Sequence, residues 1–204
     1  MFAVDVELRS GPKGGPEVTH ARGRGILVAS LPAPPRYDRP AQLDAKPYLR
    51  GVESAYDDVL FHGPHFHGVD HIEGYSAAGI VARVRHAPAP AEWMAEPLRS
   101  AWLGDPLAVD AGLQLGILWC HEELGAVSLP AYGARYRQYR STFPAEGATA
   151  VLEIRDGRGP QVRADITFLD AAGQVIARME GYEWTVDASL RDAFGRGTAV
   201  GAGT

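Results

Sequence analysis

Residues 105–124 constrain the fold more than any other part of this sequence. Apolar side chains surround the whole circumference of a helix here, instead of forming one stripe: Leu107, Val109, Leu113, Leu115, Ile117, Leu118 and Trp119. A helix with this pattern is buried on most of its sides. The apolar stretch is too short to span a membrane and carries Asp110 and Gln114, so we predict a helix enclosed by other elements of a globular fold.

The segments around this helix have the patterns of strands. Two precede it, 69–72 and 79–85, and four follow it: 132–143, 150–156, 161–169 and 175–186. Asp156-Gly157 and Ala172-Gly173 are typical of hairpin turns. One helical turn is predicted over 56–60. We therefore predict an α+β protein with a hotdog fold, in which an antiparallel meander wraps around one long buried helix.

The first thirty residues form a separate predicted unit. Residues 2–9 alternate between apolar and polar, a Gly- and Pro-rich turn follows at 11–16, and 18–29 is predicted to return as the second strand of a hairpin. Five prolines between residues 32 and 47 favour an extended linker over a packed element. The predicted organisation is a hairpin ending a preceding hotdog unit (1–30), a Pro-rich linker (31–50), a C-terminal hotdog (51–187) and a flexible tail (188–204).

Composition narrows the classes of function. The chain is 46% hydrophobic and has a formal net charge of -5. This charge argues against binding to nucleic acid or to an anionic membrane surface. A single cysteine, Cys120, excludes a disulfide framework and any Cys-based zinc site; we expect it to be a buried apolar residue. The N-terminus lacks a basic region and a long apolar stretch, so we expect a soluble, cytoplasmic protein without a signal peptide.

Asp110 and Gln114 are the first candidates for chemistry. Four residues separate them, so on a helix they lie one turn apart on the same face. Burial among apolar neighbours raises the pKa of a carboxyl group, as a general acid at neutral pH requires, and the Gln amide could orient it. The alternative is that Asp110, near the helix start, only interacts with the helix dipole or a nearby amide.

Two stretches together resemble the dehydratase domains of polyketide synthases. Leu60-Phe61-His62-Gly63-Pro64-His65-Phe66 is similar to the family's G-P-x-F signature, and residues 105–114 are similar to its P-x-L-x-D-x-x-x-Q helix. Val18-Thr19-His20-Ala21-Arg22-Gly23 resembles the closing strand of the preceding hotdog in that family. The order and spacing of the motifs also agree, and the resemblance covers roughly residues 50–187.

The resemblance implies a double hotdog that eliminates water from a 3-hydroxyacyl thioester to give an enoyl thioester. It assigns Asp110 as the general acid and Gln114 as its orienting partner. It also implies no cofactor beyond the phosphopantetheine arm of an acyl carrier protein. The implied partners are that carrier, other synthase domains, and a second hotdog in cis or in a homodimer. The expected substrate-binding residues flank the turn: Tyr56, Gly63, Pro64 and Phe66.

Two departures from the family pattern affect the catalytic residues. His62 stands where the family often has Tyr; an imidazole could hydrogen-bond Asp110 or could titrate and change its pKa. The family's base is a His in an H-x-x-x-G-x-x-x-x-P motif, and we expect none of the seven histidines of this chain to fit this motif. We therefore predict that this chain lacks the base and holds half of an active site, with His62 as the first candidate if a base is present.

Other functions stay open at this stage. A non-catalytic pseudo-dehydratase could bind acyl chains or hold a synthase together, and a hotdog thioesterase would use the helix carboxylate to activate water. His65, His67 and His71 share parity, so on a strand they would project from one face and could bind zinc. No Asp or Glu completes the ligand spacing, and we expect no metal. His20, His86 and His121 are expected on the surface.

Overall fold

The computed structural model describes residues 1–12 and 15–190, which divide into two units at Pro32/Ala33. The first unit is an antiparallel hairpin of β1 (Phe2–Ser10) and β2 (Val18–Leu27), with a bulge between Leu8 and Arg9. The alternating pattern of residues 2–9 therefore correctly predicts a strand. Every residue of β1 is exposed, including its apolar side chains.

The second unit contains the remaining described elements. The helices are α1 (Val52–Asp58), α2 (Pro90–Trp93) and α3 (Pro106–Leu124), with one 3₁₀ turn at Pro64–Phe66. The strands are β3 (Val69–Ser76), β4 (Gly79–Val84), β5 (Ser128–Gln138), β6 (Ala148–Asp156), β7 (Gln161–Leu169) and β8 (Val175–Val186). No helix among the described residues is long and apolar enough to cross a membrane.

The strands of this unit form one antiparallel sheet in the order β3-β4-β6-β7-β8-β5 within the described residues. The predicted meander is wrong at one strand, because β5 pairs with β8 at the sheet edge instead of with β6. β5 also runs over 128–138 and not 132–143. The chain leaves it, turns at Pro144 and at Gly147 in a left-handed conformation (φ 84°), and enters the sheet centre between β4 and β7.

Helix α3 packs against every strand of this sheet. Leu115 and Leu118 are fully buried, as the all-round apolar pattern predicts. Close approach to the sheet requires two glycines: a Cβ at Gly112 would lie 2.7 Å from the Phe168 ring, and one at Gly116 would overlap the indole of Trp184. The packing of α3 on the sheet therefore depends on these small residues as well as on apolar ones.

Both ends of α3 are capped. Asp105 lies at the N-cap and accepts hydrogen bonds from the N–H groups of Ala108 (2.8 Å) and Ala87 (3.0 Å). Gly125 closes the C-terminus in a left-handed conformation (φ 62°). These contacts satisfy backbone and side-chain polar groups that would otherwise be unpaired at the helix ends.

The predicted linker packs against the sheet along part of its length. Residues 33–45 are free of regular helix and strand, as their prolines predict, but Leu43 is only 2% exposed. It packs in a second apolar cluster with Val81, Val151 and Val175. Prolines prevent regular hydrogen bonding without preventing burial, so this segment contributes to the fold instead of acting as a free spacer.

Two local predictions also differ from the structure. The helical turn predicted at 56–60 is α1, which begins earlier, at Val52. In the β6–β7 hairpin the left-handed residue is Gly159 (φ 86°) and not Gly157, whereas Gly173 (φ 75°) serves the β7–β8 turn as predicted. Of the predicted tail, residues 191–204 lie outside the described residues.

Candidate active site

Gln114 joins the Gly-Pro turn to Asp110 on helix α3. The two side chains meet as their spacing predicts: Gln114 Nε2 donates to Asp110 Oδ2 at 2.7 Å and to the backbone oxygen of Phe66 at 2.8 Å. Gln114 is fully buried, whereas the Asp110 side chain is 28% exposed. The amide is therefore fixed by the fold, and the carboxyl group that it orients is still accessible.

Tyr56 fixes the orientation of the Gln114 amide. Its hydroxyl accepts the Val69 N–H at 2.8 Å and donates to Gln114 Oε1 at 2.7 Å. Burial raises the pKa of Tyr56 to about 12, so the hydroxyl keeps its proton at neutral pH. Because the Val69 amide can only donate, the Tyr56 proton goes to Oε1 and the Gln114 NH₂ group faces Asp110.

His62 lies on the same carboxylate oxygen as Gln114. Its Nε2 is 3.5 Å from Asp110 Oδ2, and its side chain is 12% exposed. Burial is the main effect on the pKa of His62, and it lowers that pKa. The charge of Asp110 raises the pKa of His62, and the charge of His67 lowers it. Nδ1 is buried without a hydrogen-bond partner among the described residues. An unpaired acceptor costs less than an unpaired N–H, so we assign the ring proton to Nε2, facing Asp110.

His67 connects two parts of this site, a role that the sequence did not indicate. Its Nε2 donates to the His62 backbone oxygen at 3.0 Å, and its ring stacks on Tyr56 with centroids 3.8 Å apart and planes 13° apart. The contact joins the turn that carries His62 to the helix that carries Tyr56. Neither hydrophobic periodicity nor motif spacing indicates such a contact, because it depends on how the turn packs on helix α1.

The predicted substrate-binding residues occupy different positions in the site. The Phe66 N–H donates to the Gly63 oxygen at 2.8 Å, closing the turn that begins at Pro64, and Phe66 as a whole is 40% exposed. A Cβ built on Gly63 would meet no atom within 4 Å, so space is open beside this residue. Tyr56 lies behind Gln114, and both neighbours of its hydroxyl are protein groups.

The histidines proposed as a zinc site do not share a strand. His65 is in the 3₁₀ turn, His67 follows it, and only His71 lies in β3. Within residues 1–12 and 15–190, no group of three or more His, Cys, Asp or Glu side chains is placed to hold a metal ion. Cys120 is fully buried, and burial raises the pKa of its thiol to about 11, so the nucleophilic thiolate is disfavoured.

One histidine does match the spacing of the family's base motif. His121, Gly125 and Pro130 fit H-x-x-x-G-x-x-x-x-P, so the prediction that none of the histidines fits this motif is wrong. His121 is in the last turn of α3, and Gly125 is the helix C-cap. His121 lies eleven positions after Asp110 on this helix, about 16 Å further along its axis. The two side chains cannot act on adjacent carbons of one substrate.

Comparisons with known proteins identify the family. The model of the family described as "Polyketide synthase dehydratase N-terminal domain" matches residues 36–190. One large chain of a polyunsaturated fatty acid synthase from Thraustochytrium sp. is 31% identical over 118 residues, which are 56% of this chain and 4% of that protein.

Solved structures show the same fold. A trans-AT PKS dehydratase domain from Brevibacillus brevis has a TM-score of 0.69 at 21% identity, covering 91% of this chain and 65% of that one. The dehydratase domain of PpsC from Mycobacterium tuberculosis has a TM-score of 0.65 at 21% identity, covering 91% and 64%. This chain thus spans somewhat less than two thirds of these domains, and the predicted α+β hotdog fold is confirmed. The chain belongs to the polyketide synthase dehydratase family.

Proposed function

We propose that this chain supplies the acid half of a dehydratase site, as the C-terminal hotdog of a double hotdog. The substrate is a 3-hydroxyacyl thioester on the phosphopantetheine arm of an acyl carrier protein, and the product is the enoyl thioester. The observation that carries the proposal is the arrangement around Asp110. Gln114 donates a hydrogen bond to Oδ2 of Asp110, and His62 Nε2 lies 3.5 Å from the same oxygen. Oδ1 has no hydrogen-bond partner among the described residues.

The oxygen proposed to act as the acid is Oδ1. Oδ2 accepts the Gln114 N–H and lies 3.5 Å from His62 Nε2, which supports placing a proton carried by Asp110 on Oδ1. In the elimination, Oδ1 gives its proton to the C3 hydroxyl, the C3–O bond breaks and water leaves. A base removes the proton from C2, and the electrons of that C–H bond form the C2=C3 double bond. Gln114 and His62 then stabilise the carboxylate that remains.

The other residues are proposed to orient the acid and leave room for substrate. Tyr56 and His67 hold Gln114 and His62 in place without touching the substrate. The open space at Gly63 lies on the turn that also carries His62, so we place the thioester end of the substrate beside this glycine. Phe66 contributes an exposed apolar surface next to it.

The proposed assembly follows from the half-site. The base would come from a second hotdog, supplied in cis or by a homodimer, and the carrier protein and other synthase domains would be the remaining partners. Similarity to a small part of a polyunsaturated fatty acid synthase supports this multidomain setting. We propose that the chain uses no cofactor of its own and acts in the cytoplasm.

Chemical rescue tests the proposal on the chain as it stands. Added imidazole can replace a missing histidine base, so we expect water loss from a 3-hydroxyacyl pantetheine thioester to depend on imidazole, read by mass spectrometry. Asp110→Asn should lower the rescued rate by about 10²-fold or more. Asp70→Asn is the matched control, because Asp70 is an exposed carboxylate paired with Arg85. Equal rates for Asp110→Asn and the control would refute the role of Asp110.

A non-catalytic role is the second candidate. His121, which has the spacing of the base motif, is far from Asp110 along α3. The imidazole next to Asp110 is that of His62, and it lies near Oδ2, the oxygen that also accepts a hydrogen bond from Gln114. A pseudo-dehydratase that binds acyl groups, or that supports a synthase, fits the same geometry. Failure of imidazole rescue, together with binding of an unreactive acyl analogue, would favour this function over dehydration.

A further inference from the structure

Three aromatic rings form a continuous chain from the Gly-Pro turn. The centroids of Phe66 and Trp93 are 5.5 Å apart, and those of Trp93 and Trp102 are 5.9 Å apart. The indole N–H of Trp102 donates to the Pro88 oxygen at 2.7 Å. Because its polar atom is already paired within the protein, Trp102 presents mainly apolar surface to any ligand.

The far end of this aromatic chain borders a cavity of about 260 Å³. Most of its wall is apolar and includes Trp102, Pro88 and Phe143; the polar residues His86, Ser100, Ser141 and Thr142 line the rest. Asp105 also lines it, but its carboxylate oxygens accept the N–H groups of Ala87 and Ala108. With its acidic group paired in this way, the cavity suits an apolar ligand better than a charged one.

The near end of the aromatic chain is tied to the candidate acid. Phe66 provides the carbonyl that accepts from Gln114 Nε2, and the same amide nitrogen donates to Asp110. The Phe66 backbone is therefore two hydrogen bonds from the carboxyl group. Phe66 is 40% exposed and its ring contacts Trp93, so an apolar group that leaves the site along the Phe66 ring would meet Trp93 next.

We propose that Phe66, Trp93 and Trp102 bind the part of the acyl chain beyond C3 and direct its end into the cavity. The inference rests on the proposed function, since it takes an acyl thioester as the ligand, and it adds a preference for long apolar chains over short ones. Each buried CH₂ group should tighten binding by roughly threefold to fourfold until the cavity is filled.

The tryptophans themselves report the test. The chain has four, and two of them, Trp119 at 3% exposure and Trp184 at 0%, lie in the core. With 5-fluorotryptophan incorporated, ¹⁹F NMR can follow titration with unreactive butyryl, octanoyl and dodecanoyl pantetheine thioethers. We expect the Trp93 and Trp102 signals to shift, the core signals to stay, and affinity to rise with chain length.

Variants then assign the effect to the rings. Trp93→Ala should remove most of the gain between butyryl and dodecanoyl, and Trp93→Phe should keep part of it. Leu98→Ser is the control, because Leu98 is 99% exposed on the segment between Trp93 and Trp102 and its change should leave the gain unchanged. Equal affinity for all chain lengths would overturn the proposal, as would an equal loss of the affinity gain in Leu98→Ser. Either result is expected if the rings instead form a contact with another domain.

This binding test is separable from the test of dehydration. It uses unreactive ligands, so its outcome does not depend on proton transfer from Asp110. Graded binding without imidazole-rescued water loss would refute the dehydratase mechanism and leave the acyl-chain site standing. Water loss without graded binding would refute the acyl-chain site and leave the dehydratase mechanism standing.

Discussion

Removal of one buried hydroxyl tests whether the site is built as described. Tyr56→Phe leaves two buried groups without partners: the N–H of Val69, which is 1% exposed, and Oε1 of Gln114, which is 0% exposed. An unpaired buried polar group costs about 1–3 kcal/mol, so the variant should lose at least about 2 kcal/mol of unfolding free energy. For a chain of this size, the melting temperature should fall by at least about 4 °C.

Thermal and urea unfolding followed by circular dichroism would measure this loss. Tyr132→Phe is the matched control, since Tyr132 is 58% exposed and the change in unfolding free energy should stay within about 0.5 kcal/mol. A loss in Tyr56→Phe as small as in the control would refute the hydrogen-bond chain. A double-mutant cycle of Tyr56→Phe with Gln114→Leu should give a coupling of about 0.5–3 kcal/mol, because the second change removes the orphaned acceptor.

Three further perturbations probe other parts of the structure. Gly116→Ala should lower the free energy of unfolding, measured in urea, by about 1–3 kcal/mol, because the added Cβ would overlap the Trp184 indole. Thr167→Val should be neutral or stabilising by up to about 1 kcal/mol, since the buried Thr167 hydroxyl has no partner among the described residues. Because burial lowers the pKa of His62, the unfolded chain takes up a proton before the native one, so stability should fall as the pH drops below about 6.5. His62→Phe should flatten that part of a stability–pH curve, and an unchanged slope would contradict the assignment.

The sequence predicts best what depends on local periodicity. The all-round apolar pattern of residues 105–124 gives α3 and its burial, and alternation gives most strands. The contact between Asp110 and Gln114 follows from their i, i+4 spacing on that helix. Each of these features is determined by residues within a few turns of one another, so no knowledge of the rest of the fold is required.

Features that depend on how distant segments meet were not predictable in this way. Periodicity identifies β5 as a strand but does not specify its partner, β8, on the far side of the sheet. The prolines around Leu43 predict an extended chain but not its packing on the sheet. His67 gives no periodic or motif signal, because its neighbours, Tyr56 and the His62 carbonyl, come from two different segments.

The fold sets the polarity of the site through a single backbone group. β3 is an edge strand, and the N–H of its first residue, Val69, bonds to a side chain, the Tyr56 hydroxyl. Unpaired edge N–H groups are ordinarily a liability for a sheet, but this one starts a chain of hydrogen bonds that can run in one direction only. The Tyr56 hydroxyl donates to Oε1 of Gln114, and Nε2 of Gln114 donates in turn to Oδ2 of Asp110. In the proposed mechanism, the position of a strand edge thus decides which oxygen of the carboxyl group carries the proton for the substrate.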